Sequence, residues 1–303
     1  MNRRDLTLYV AAGFAVGILL LSGYYFAKRP DRTTPRTVEK TDRVIVFRDV
    51  KYSGEKKGAV DWELNAKLAR KYIDKPFIEL EDIEGLYKPN PDTIVLFRGS
   101  KGEMNTEDEV GRVEDVEIVY KDEYRLKSKN MEFEFKNSKV SSNEIVDLKG
   151  KRLTLLGQGL AADTKEQVIR INRDVRGTVD TEERSFKFWS DRFTYKIKED
   201  LYTFERNVKV IGEDMELLCD TLQVTSKDDK VDKIEARGSV RLSSKGTLAK
   251  SERAVYYLKE DKVTLEDSPT IIRDKVEMKG QQIVYNLSTG KFLVSGPRMR
   301  IER

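Results

Sequence analysis

The sequence predicts an all-β protein that follows one N-terminal transmembrane helix, and three observations lead to this fold class. Residues 6–27, LTLYVAAGFAVGILLLSGYYFA, contain no charged side chain. Downstream, apolar and polar residues alternate with a period of two, which is typical of antiparallel strands with one buried face. The last part of the chain then repeats a unit of about 30 residues four times, as a series of paired strands would.

The uncharged stretch is long enough to cross a bilayer. As a helix, its 22 residues would extend roughly 33 Å, against about 30 Å of hydrocarbon. A cleaved signal peptide is the alternative, but its apolar region would be shorter and would end in small residues. Tyr25 and Phe26 stand before Ala27 instead, and this favours an uncleaved anchor over 1–29.

The anchor carries a pattern for helix contact. Gly13 and Gly17 form a GxxxG spacing that would let another membrane helix approach closely, although glycine is common in membrane helices in any case. Basic residues flank both ends of the span, namely Arg3 and Arg4 before it and Lys28, Arg29, Arg32 and Arg36 after it. By the positive-inside rule alone, the larger number after the span would place the C-terminal part in the cytoplasm.

After a linker over 30–43, period-two alternation continues to the C-terminus. Three stretches show it clearly, and their predicted inward faces are Trp62, Leu64, Ala66 and Leu68 in DWELNAKLA, Met131, Phe133 and Phe135 in MEFEF, and Phe186 and Phe188 in SFKFW. The segment from Ala66 to Lys71 could alternatively form a helix. Charged turns separate the short runs, so the pattern predicts a repeatedly folded antiparallel sheet.

Three recurring positions define the repeat. Asp191, Asp220, Glu252 and Gln281 occupy the first, and Tyr195, Val224, Tyr256 and Tyr285 follow four residues later, both sets spaced by 29, 32 and 29 residues. Val208, Val240, Thr270 and Met299 mark the third position, spaced by 32, 30 and 29 residues. Residues 44–182 are also rich in strand patterns but match this unit poorly. We therefore predict two domains, 44–182 and 183–303.

The residue inventory excludes several kinds of active site. The sequence has no His and one Cys, Cys219, so a Ser-His-Asp triad, a Cys-His pair and a His-containing zinc site are impossible. Cys219, within MELLCDTL, is expected to be a small buried apolar residue. Phosphate-binding and dinucleotide-binding motifs are missing as well, and we expect neither a metal nor a cofactor.

Two further features bear on function. The net charge of +4 comes from interleaved signs, so the sequence shows no nucleic-acid footprint. Paired carboxylates could still meet in space as they do in a glycosidase, but no acid recurs on an inward face, so we predict that the protein is not an enzyme.

What recurs is an apolar face, and it has two interpretations. If two sheets pack directly on each other, the inward residues fill a dry core and the protein is a scaffold. If the sheets splay apart, the same residues line an apolar groove long enough for acyl chains. In either arrangement the terminal edge strands can accept strands from another chain.

The chain resembles two families that act in one pathway. The N-terminal span, WELNAKLARKY and LLGQGLAADTKEQVIRINRDVRGTV resemble LptC, the bitopic component of bacterial lipopolysaccharide export. The segments GEDMELLCDTLQV, SKGTLAKSERAVYY and RDKVEMKGQQIVYN of the four-unit part resemble LptA, the periplasmic bridge protein with the OstA-like domain. These families ordinarily supply the two parts as separate chains, whereas here one sequence carries both.

The resemblance implies two stacked antiparallel β-jellyroll domains whose interior carries the acyl chains of lipopolysaccharide. It implies an anchor beside the permease subunits of an inner-membrane ABC transporter, with Gly13 and Gly17 facing the transporter helices. The soluble part would then be periplasmic and the N-terminus cytoplasmic, opposite to the charge count. Further implied partners are another bridge protein or an outer-membrane lipopolysaccharide assembly protein, joined by edge-strand pairing.

The predicted function is a lipopolysaccharide conduit, and its alternative is a membrane-tethered scaffold that pairs edge strands without binding lipid. An enzyme acting on surface glycan is a third possibility. The residues predicted to contact lipid are Trp62, Leu64, Phe133, Phe135, Phe186, Phe188, Leu217, Tyr256, Met278 and Tyr285. A one-residue error in strand register would invert any of these face assignments.

Overall fold

The structure is a computed structural model, and it describes most of the chain beyond the predicted anchor and linker. The described residues are 43–56, 59–90, 93–120, 124–134, 136–150, 153–163, 165–180, 185–227, 230–257, 260–274 and 276–301. The predicted transmembrane helix over 1–29 and residues 30–42 of the predicted linker lie outside them. Within the described ranges no helix is long and apolar enough to cross a membrane.

The described chain consists of β-strands, and every recorded strand pairing is antiparallel. The predicted all-β antiparallel class is therefore confirmed. The backbone divides into two compact units: unit 1 comprises the described residues of Met1–Lys151 with Gly159–Gln167, and unit 2 comprises those of Arg152–Gln158 with Val168–Arg303. The domain limits of 44–182 and 183–303 stay predictions.

Unit 1 is built from long strands that pair in chain order, each with the next. Their bounds are β1 Val44–Lys56, β2 Ala59–Tyr72, β3 Phe77–Asn90, β4 Thr93–Asn105, β5 Val110–Tyr120, β6 Tyr124–Glu134 and β7 Lys139–Lys149. The next strand, β8 Leu153–Asp163, has its first part in unit 2 and its last part in unit 1. Because Ala66 to Lys71 lies inside β2, the helical alternative for that segment is wrong.

Unit 2 contains the repeat and mixes long strands with short ones. The strands are β9 Val168–Asp180, β10 Ser185–Ser190, β11 Arg192–Lys196, β12 Leu201–Ile211, β13 Met215–Lys227, β14 Lys230–Ser244, β15 Thr247–Tyr257, β16 Lys262–Glu266, β17 Thr270–Arg273, β18 Val276–Lys279, β19 Gln282–Asn286, β20 Phe292–Ser295 and β21 Arg298–Ile301. Strand β12 pairs with β11 along its first part and with β10 along its last part, and β15 pairs likewise with β16 and β17. Each long strand therefore contributes to two half-sheets.

Two strands of unit 1, β3 and β5, change their buried face at a single residue with a left-handed backbone. Asp82 has a φ of 52° and Asp115 a φ of 51°, both in the middle of a strand. On β3 the buried residues on either side of this point are Leu80 and Ile83, three positions apart rather than two. Such a residue bends the strand, so one apolar face continues around the corner.

The same shift corrects one face assignment. Strict alternation through DWELNAKLA places Leu68 inward with Leu64 and Ala66. In the structure Leu64 and Ala66 are buried, but the next buried position is Ala69, and Leu68 is only half-buried. The prediction for Leu68 is wrong because alternation restarts at the corner.

In unit 2 the corners are β-bulges, in which two residues with positive φ oppose one residue of the neighbouring strand. Arg206 and Asn207 oppose Asp220, and Gly238 and Ser239 oppose Glu252. Asp220 and Glu252 both belong to the first recurring position of the repeat. That position therefore marks the strand corner.

Candidate lipid-contacting faces

The second recurring position of the repeat lies inward, on one row that crosses a half-sheet of unit 2. In cross-strand register this row is Ile169, Tyr195, Tyr202, Val224, Ile234, Tyr256, Val263, Tyr285 and Phe292. A parallel row nearer the corner contains Ile171, Phe193, Phe204, Leu222, Ala236, Ala254, Leu265 and Ile283, all of them buried. The interior of this half-sheet is apolar throughout.

The other half-sheet of unit 2 has a matching inward row. It runs through Phe188, Val210, Leu217, Leu242, Ala249, Ile271 and Met278. Phe186 lies on the same face of β10, two residues before Phe188. Four of the predicted contact residues, Phe186, Phe188, Leu217 and Met278, therefore share one face of one half-sheet.

Burial divides unit 2 into a closed part and a half-open part. At the closed part, Tyr285 is 1% exposed, and its hydroxyl donates a hydrogen bond to the carbonyl oxygen of Ser244, 3.4 Å away. The half-open part begins at β11, where the rings of Tyr195 and Tyr202 stack with centroids 4.2 Å apart. The half-buried inward residues there are Tyr195, Tyr202, Val224, Ile234 and Tyr256 on one half-sheet and Phe186, Val210, Met215 and Leu217 on the other.

Two tyrosines of the half-open part are held by the same local contact. The hydroxyl of Tyr195 donates to Asp200 Oδ1 and that of Tyr256 to Asp261 Oδ1, each over 3.1 Å. In both cases the acceptor lies five residues later, in the turn that follows the strand. The polar end of each side chain is thereby fixed at the turn while the ring faces inward.

Unit 1 also has an apolar interior. One inward row contains Leu64, Gly85, Phe97, Ile118, Leu126 and Leu148, and another contains Ile78, Met104, Gly111, Phe133 and Val140. Phe133 is 1% exposed and meets Phe97 edge to face, with ring centroids 6.5 Å apart. Leu64 and Phe133 therefore both belong to a packed interior.

Four of the predicted residues cannot be placed in this way. Gly13, Gly17 and Phe135 lie outside the described residues, and for Trp62 only the strand position in β2 is described. Their assignments stay predictions. Conversely, sequence reasoning missed Phe193 and Phe204. Phe204 packs on both Phe193 and Phe188, with ring centroids 5.1 Å apart in each pair. The alternation in FTY and YTF offered a signal for both.

Glu235 is the most strongly perturbed carboxylate of the described chain, and its role is structural. Its side chain is 4% exposed and lies 3.0 Å from Lys233 Nζ, 2.7 Å from Arg237 Nη2 and 2.8 Å from Arg253 Nε. These hydrogen bonds, that from Arg253 foremost, lower the pKa of Glu235 to about 2. Arg253 also pairs with Glu266 on the next strand.

The remaining chemistry of the described residues is sparse. Cys219 is buried, as predicted, and desolvation raises the pKa of its thiol to about 12, so it stays protonated. Among the described residues, no group of His, Cys, Asp and Glu side chains could hold a metal ion. The features that do recur are inward apolar rows.

This geometry defines a class of protein: antiparallel β-proteins in which apolar side chains form continuous inward rows from strand to strand. Comparison with known families makes it specific. The model for lipopolysaccharide-assembly, LptC-related proteins matches residues 10–180, and the model for the LptA/(LptD N-terminal domain) LPS transport protein matches residues 188–291. The first match covers more than half of the chain, which therefore belongs to the LptC-related lipopolysaccharide-assembly family. Both predicted resemblances are confirmed.

A solved structure is also similar. It is LptH, the LptA homologous periplasmic component of the conserved lipopolysaccharide transport device from Pseudomonas aeruginosa. The alignment has 16% sequence identity and a TM-score of 0.37, and it covers 40% of this chain and 97% of that chain. No curated protein matches this chain.

Proposed function

We propose that this protein is a non-enzymatic conduit for lipopolysaccharide. The observation that carries the proposal is the order of the two family matches, LptC-related over 10–180 and LptA/LptD N-terminal over 188–291, in one chain. Each matched part contains described strands with continuous inward apolar rows. In this proposal each part is a β-jellyroll, and the acyl chains lie between its two half-sheets.

The half-open part of unit 2 is the proposed lipid site. Phe186, Leu217 and Tyr256 are half-buried there. Phe188 and Tyr285 lie on the same inward rows but are buried, and they would pack in the interior next to the site. Covering these half-exposed residues with an acyl chain removes apolar surface from water, at about 25 cal/mol for each Å². A similar gain in each successive site would keep transfer nearly level in free energy, so lipid would not stall.

The proposal extends to location and partners. Residues 1–29 would anchor the chain in the inner membrane, with the soluble part in the periplasm and the GxxxG residues Gly13 and Gly17 against the permease subunits of an ABC transporter. Lipopolysaccharide would pass from that transporter to unit 1, then to unit 2, and onward to a bridge or outer-membrane assembly protein. ATP hydrolysis by the transporter would supply the energy. Strand β1 has exposed Ile45 and Val46, which suits edge-strand pairing with a partner.

A pair of neighbouring tyrosines provides the test. Tyr256 faces inward, whereas Tyr257 lies on the opposite face of β15 and is 44% exposed. A photo-crosslinking amino acid is placed at either position in the full-length protein in cells. We expect lipopolysaccharide adducts at Tyr256 and few or none at Tyr257.

The same experiment separates the alternatives. Protein adducts without lipid adducts at Tyr256 would favour the membrane-tethered scaffold, and equal lipid adducts at both positions would show contact without an enclosed site. The anchor is tested independently with the double substitution Gly13→Leu and Gly17→Leu. Unchanged co-purification with the transporter would contradict the proposed docking by these glycines.

A further inference from the structure

A row of basic side chains crosses the outer face of one half-sheet of unit 2, and we call it the basic row. In cross-strand register it consists of Arg176, Trp189, Lys209, Leu218, Arg241, Lys250, Thr270, Lys279 and Arg298. It holds six cations and no carboxylate. The row faces outward because Phe188, Leu242 and Ile271, adjacent in sequence to row members, are buried.

An outward row of unit 1 shows the ordinary pattern of this protein. Its members in register are Lys51, Asn65, Glu84, Arg98, Glu117, Lys127 and Asp147. The signs alternate, and Arg98 and Lys127 lie 3.6 and 3.5 Å from Glu84 and Glu117. Facing opposite charges stabilise a sheet and facing like charges destabilise it, so alternation is the expected arrangement.

The basic row reverses that pattern. Arg241 directly opposes Lys250, and Lys279 directly opposes Arg298. Two of its lysines are compensated from the adjacent row: Lys209 lies 2.5 Å from Glu216, and Lys279 lies 3.1 Å from Glu277. The exposed side chains of Arg176, Arg241, Lys250 and Arg298 form no ion pair within the part of the chain that the structure describes.

Two of the nearby carboxylates at the strand corners are engaged elsewhere. Glu252, two residues beyond Lys250, accepts a hydrogen bond from the backbone N–H of Ser239 over 3.3 Å. Asp191, two residues beyond Trp189, accepts one from Asn207 Nδ2 over 2.9 Å. These two corner acids therefore hold the bulges. Asp174 and Asp220 also lie two residues from members of the row, but neither forms an ion pair with it among the described residues, so the exposed cations of the row still face solvent. An external anion would supply the missing compensation.

The dimensions of the basic row favour a linear ligand. Eight steps between neighbouring strands at about 4.8 Å give a length of roughly 38 Å. Sheet twist of roughly 20° per strand turns the outward direction by about 160° from one end of the row to the other. A flat membrane surface could then meet only part of the row, whereas a flexible chain could follow all of it.

The side chains favour phosphate and sugar. Arginine binds phosphate oxygens in a bidentate manner, and lysine supplies a point charge. Trp189 stands between Arg176 and Lys209 and is 36% exposed. Its ring offers an apolar face with a polar N–H, on which the C–H face of a pyranose ring can stack. This mixture of groups suits a saccharide that carries phosphates.

From this geometry we infer that the basic row binds the phosphorylated saccharide chain of lipopolysaccharide. The inference rests on the proposed function for the source of the ligand. The saccharide is water-soluble and stays outside the apolar interior, so it is free to lie along an outer face. Unit 2 then holds this lipid class at two places, by its acyl chains inside and by its phosphates outside.

The test uses a ligand without acyl chains. Phosphorylated core oligosaccharide, released from lipopolysaccharide and freed of lipid A acyl groups, is titrated into the full-length protein in detergent by calorimetry. The double substitution Arg241→Gln and Lys250→Gln is expected to weaken binding about tenfold, as the loss of one or two exposed charge-assisted contacts would. The control, Lys51→Gln with Lys127→Gln in unit 1, changes the net charge equally and is expected to leave binding unchanged.

Three results would overturn the inference. They are an equal loss in the control variant, equal binding of the oligosaccharide after enzymatic dephosphorylation, and equal affinity for polyglutamate of matched charge. The outcome is independent of the acyl-chain site. Oligosaccharide binding with no lipid adduct at Tyr256 would support the inference about the basic row and contradict the proposed conduit. Lipid adducts at Tyr256 without oligosaccharide binding would support the conduit and contradict the inference about the basic row.

Discussion

The corners on β3 and β5 of unit 1 and those on β12 and β14 of unit 2 are made by different means. In unit 1, Asp82 and Asp115 each adopt a left-handed backbone opposite one residue of the next strand, and the register does not shift there. In unit 2, pairs such as Arg206 with Asn207 oppose a single residue, and the register shifts at each pair. Both devices carry one apolar face around a bend.

The difference explains why only one unit shows a repeat in its sequence. In the bulges of unit 2, two residues of one strand face one polar residue of the next, and that partner recurs as Asp220 and Glu252. A single left-handed Asp requires no such partner, because short polar residues adopt this conformation at modest cost. A corner that is clear in the backbone can therefore leave no recurring signal in the sequence.

Breaking a bulge should have the largest effect. Gly238→Val places a β-branched residue at a φ of 76°, and its Cβ would lie 2.3 Å from Asp220 Oδ2. We expect the free energy of unfolding of unit 2 to fall by about 3–4 kcal/mol, from backbone strain plus displacement of Asp220. The chain has two tryptophans, so denaturant titration of a Trp62→Phe background leaves Trp189 as a fluorescent probe of unit 2.

Gly246→Val is the matched control for that strain. Gly246 has a φ of 70°, with nothing within 4 Å of an added Cβ. Strain alone should cost about 1–2 kcal/mol. Equal losses in the two variants would show that the contact with Asp220 contributes nothing to the corner.

Removing the charge of Glu235 should rank second. Glu235→Gln leaves Lys233, Arg237 and Arg253 facing one another, at an expected loss of about 2–3 kcal/mol, less than for a fully buried pair because the cations reach solvent. In unit 1, Glu117 also faces two cations, but its side chain is 23% exposed, and Glu117→Gln should cost less than about 1 kcal/mol. Similar losses in the two units would contradict the assigned role of burial.

Acid titration provides a second measurement of Glu235. Its pKa is lowered from 4.5 to about 2, so its ionised form stabilises unit 2 above pH 4.5. That stabilisation should be lost as the pH falls from about 4.5 towards 2. The Glu235→Gln variant should show a shallower decline over this window, and an unchanged slope would mean that other carboxylates dominate the acid sensitivity.

A corner of unit 1 should be less costly to disturb. Asp82→Val forces a β-branched side chain to a φ of 52°, at an expected cost of about 1–2 kcal/mol. Asp82→Asn keeps a residue that tolerates this backbone and serves as the control. The measurement is denaturant unfolding followed by Trp62 in a Trp189→Phe background. A larger loss for Asp82→Val than for Gly238→Val would reverse the proposed ranking of the two corner types.

The smallest expected effect changes sign between the units. Lys250→Glu converts the facing Arg241–Lys250 pair to opposite charges and should stabilise unit 2 by about 0.2–1 kcal/mol. Glu84→Lys, which faces Arg98 in unit 1, should destabilise that unit by a similar amount. Thermal denaturation at low salt measures both. A loss of stability in Lys250→Glu would show that the facing Arg241–Lys250 pair does not destabilise unit 2. It would contradict the view that the basic row lowers the folding stability of this unit.

The sequence predicts the strand class, the repeat and the inward position of its tyrosines well, because period-two alternation and the spacing of recurring residues are local signals. It predicts face assignments only up to each corner. Strict alternation assigns Leu68 inward because it does not reveal where the backbone changes parity. The basic row was equally hidden, since its members lie far apart in sequence and meet only through cross-strand register.

The corners also bear on how such a chain tolerates changes in length. In an ordinary strand, one inserted residue would turn every later side chain to the wrong face. A corner that accepts either one or two left-handed residues absorbs the insertion, because the change of parity occurs there in any case. The bend thus gives natural variation a place to add or remove single residues without disturbing the interior.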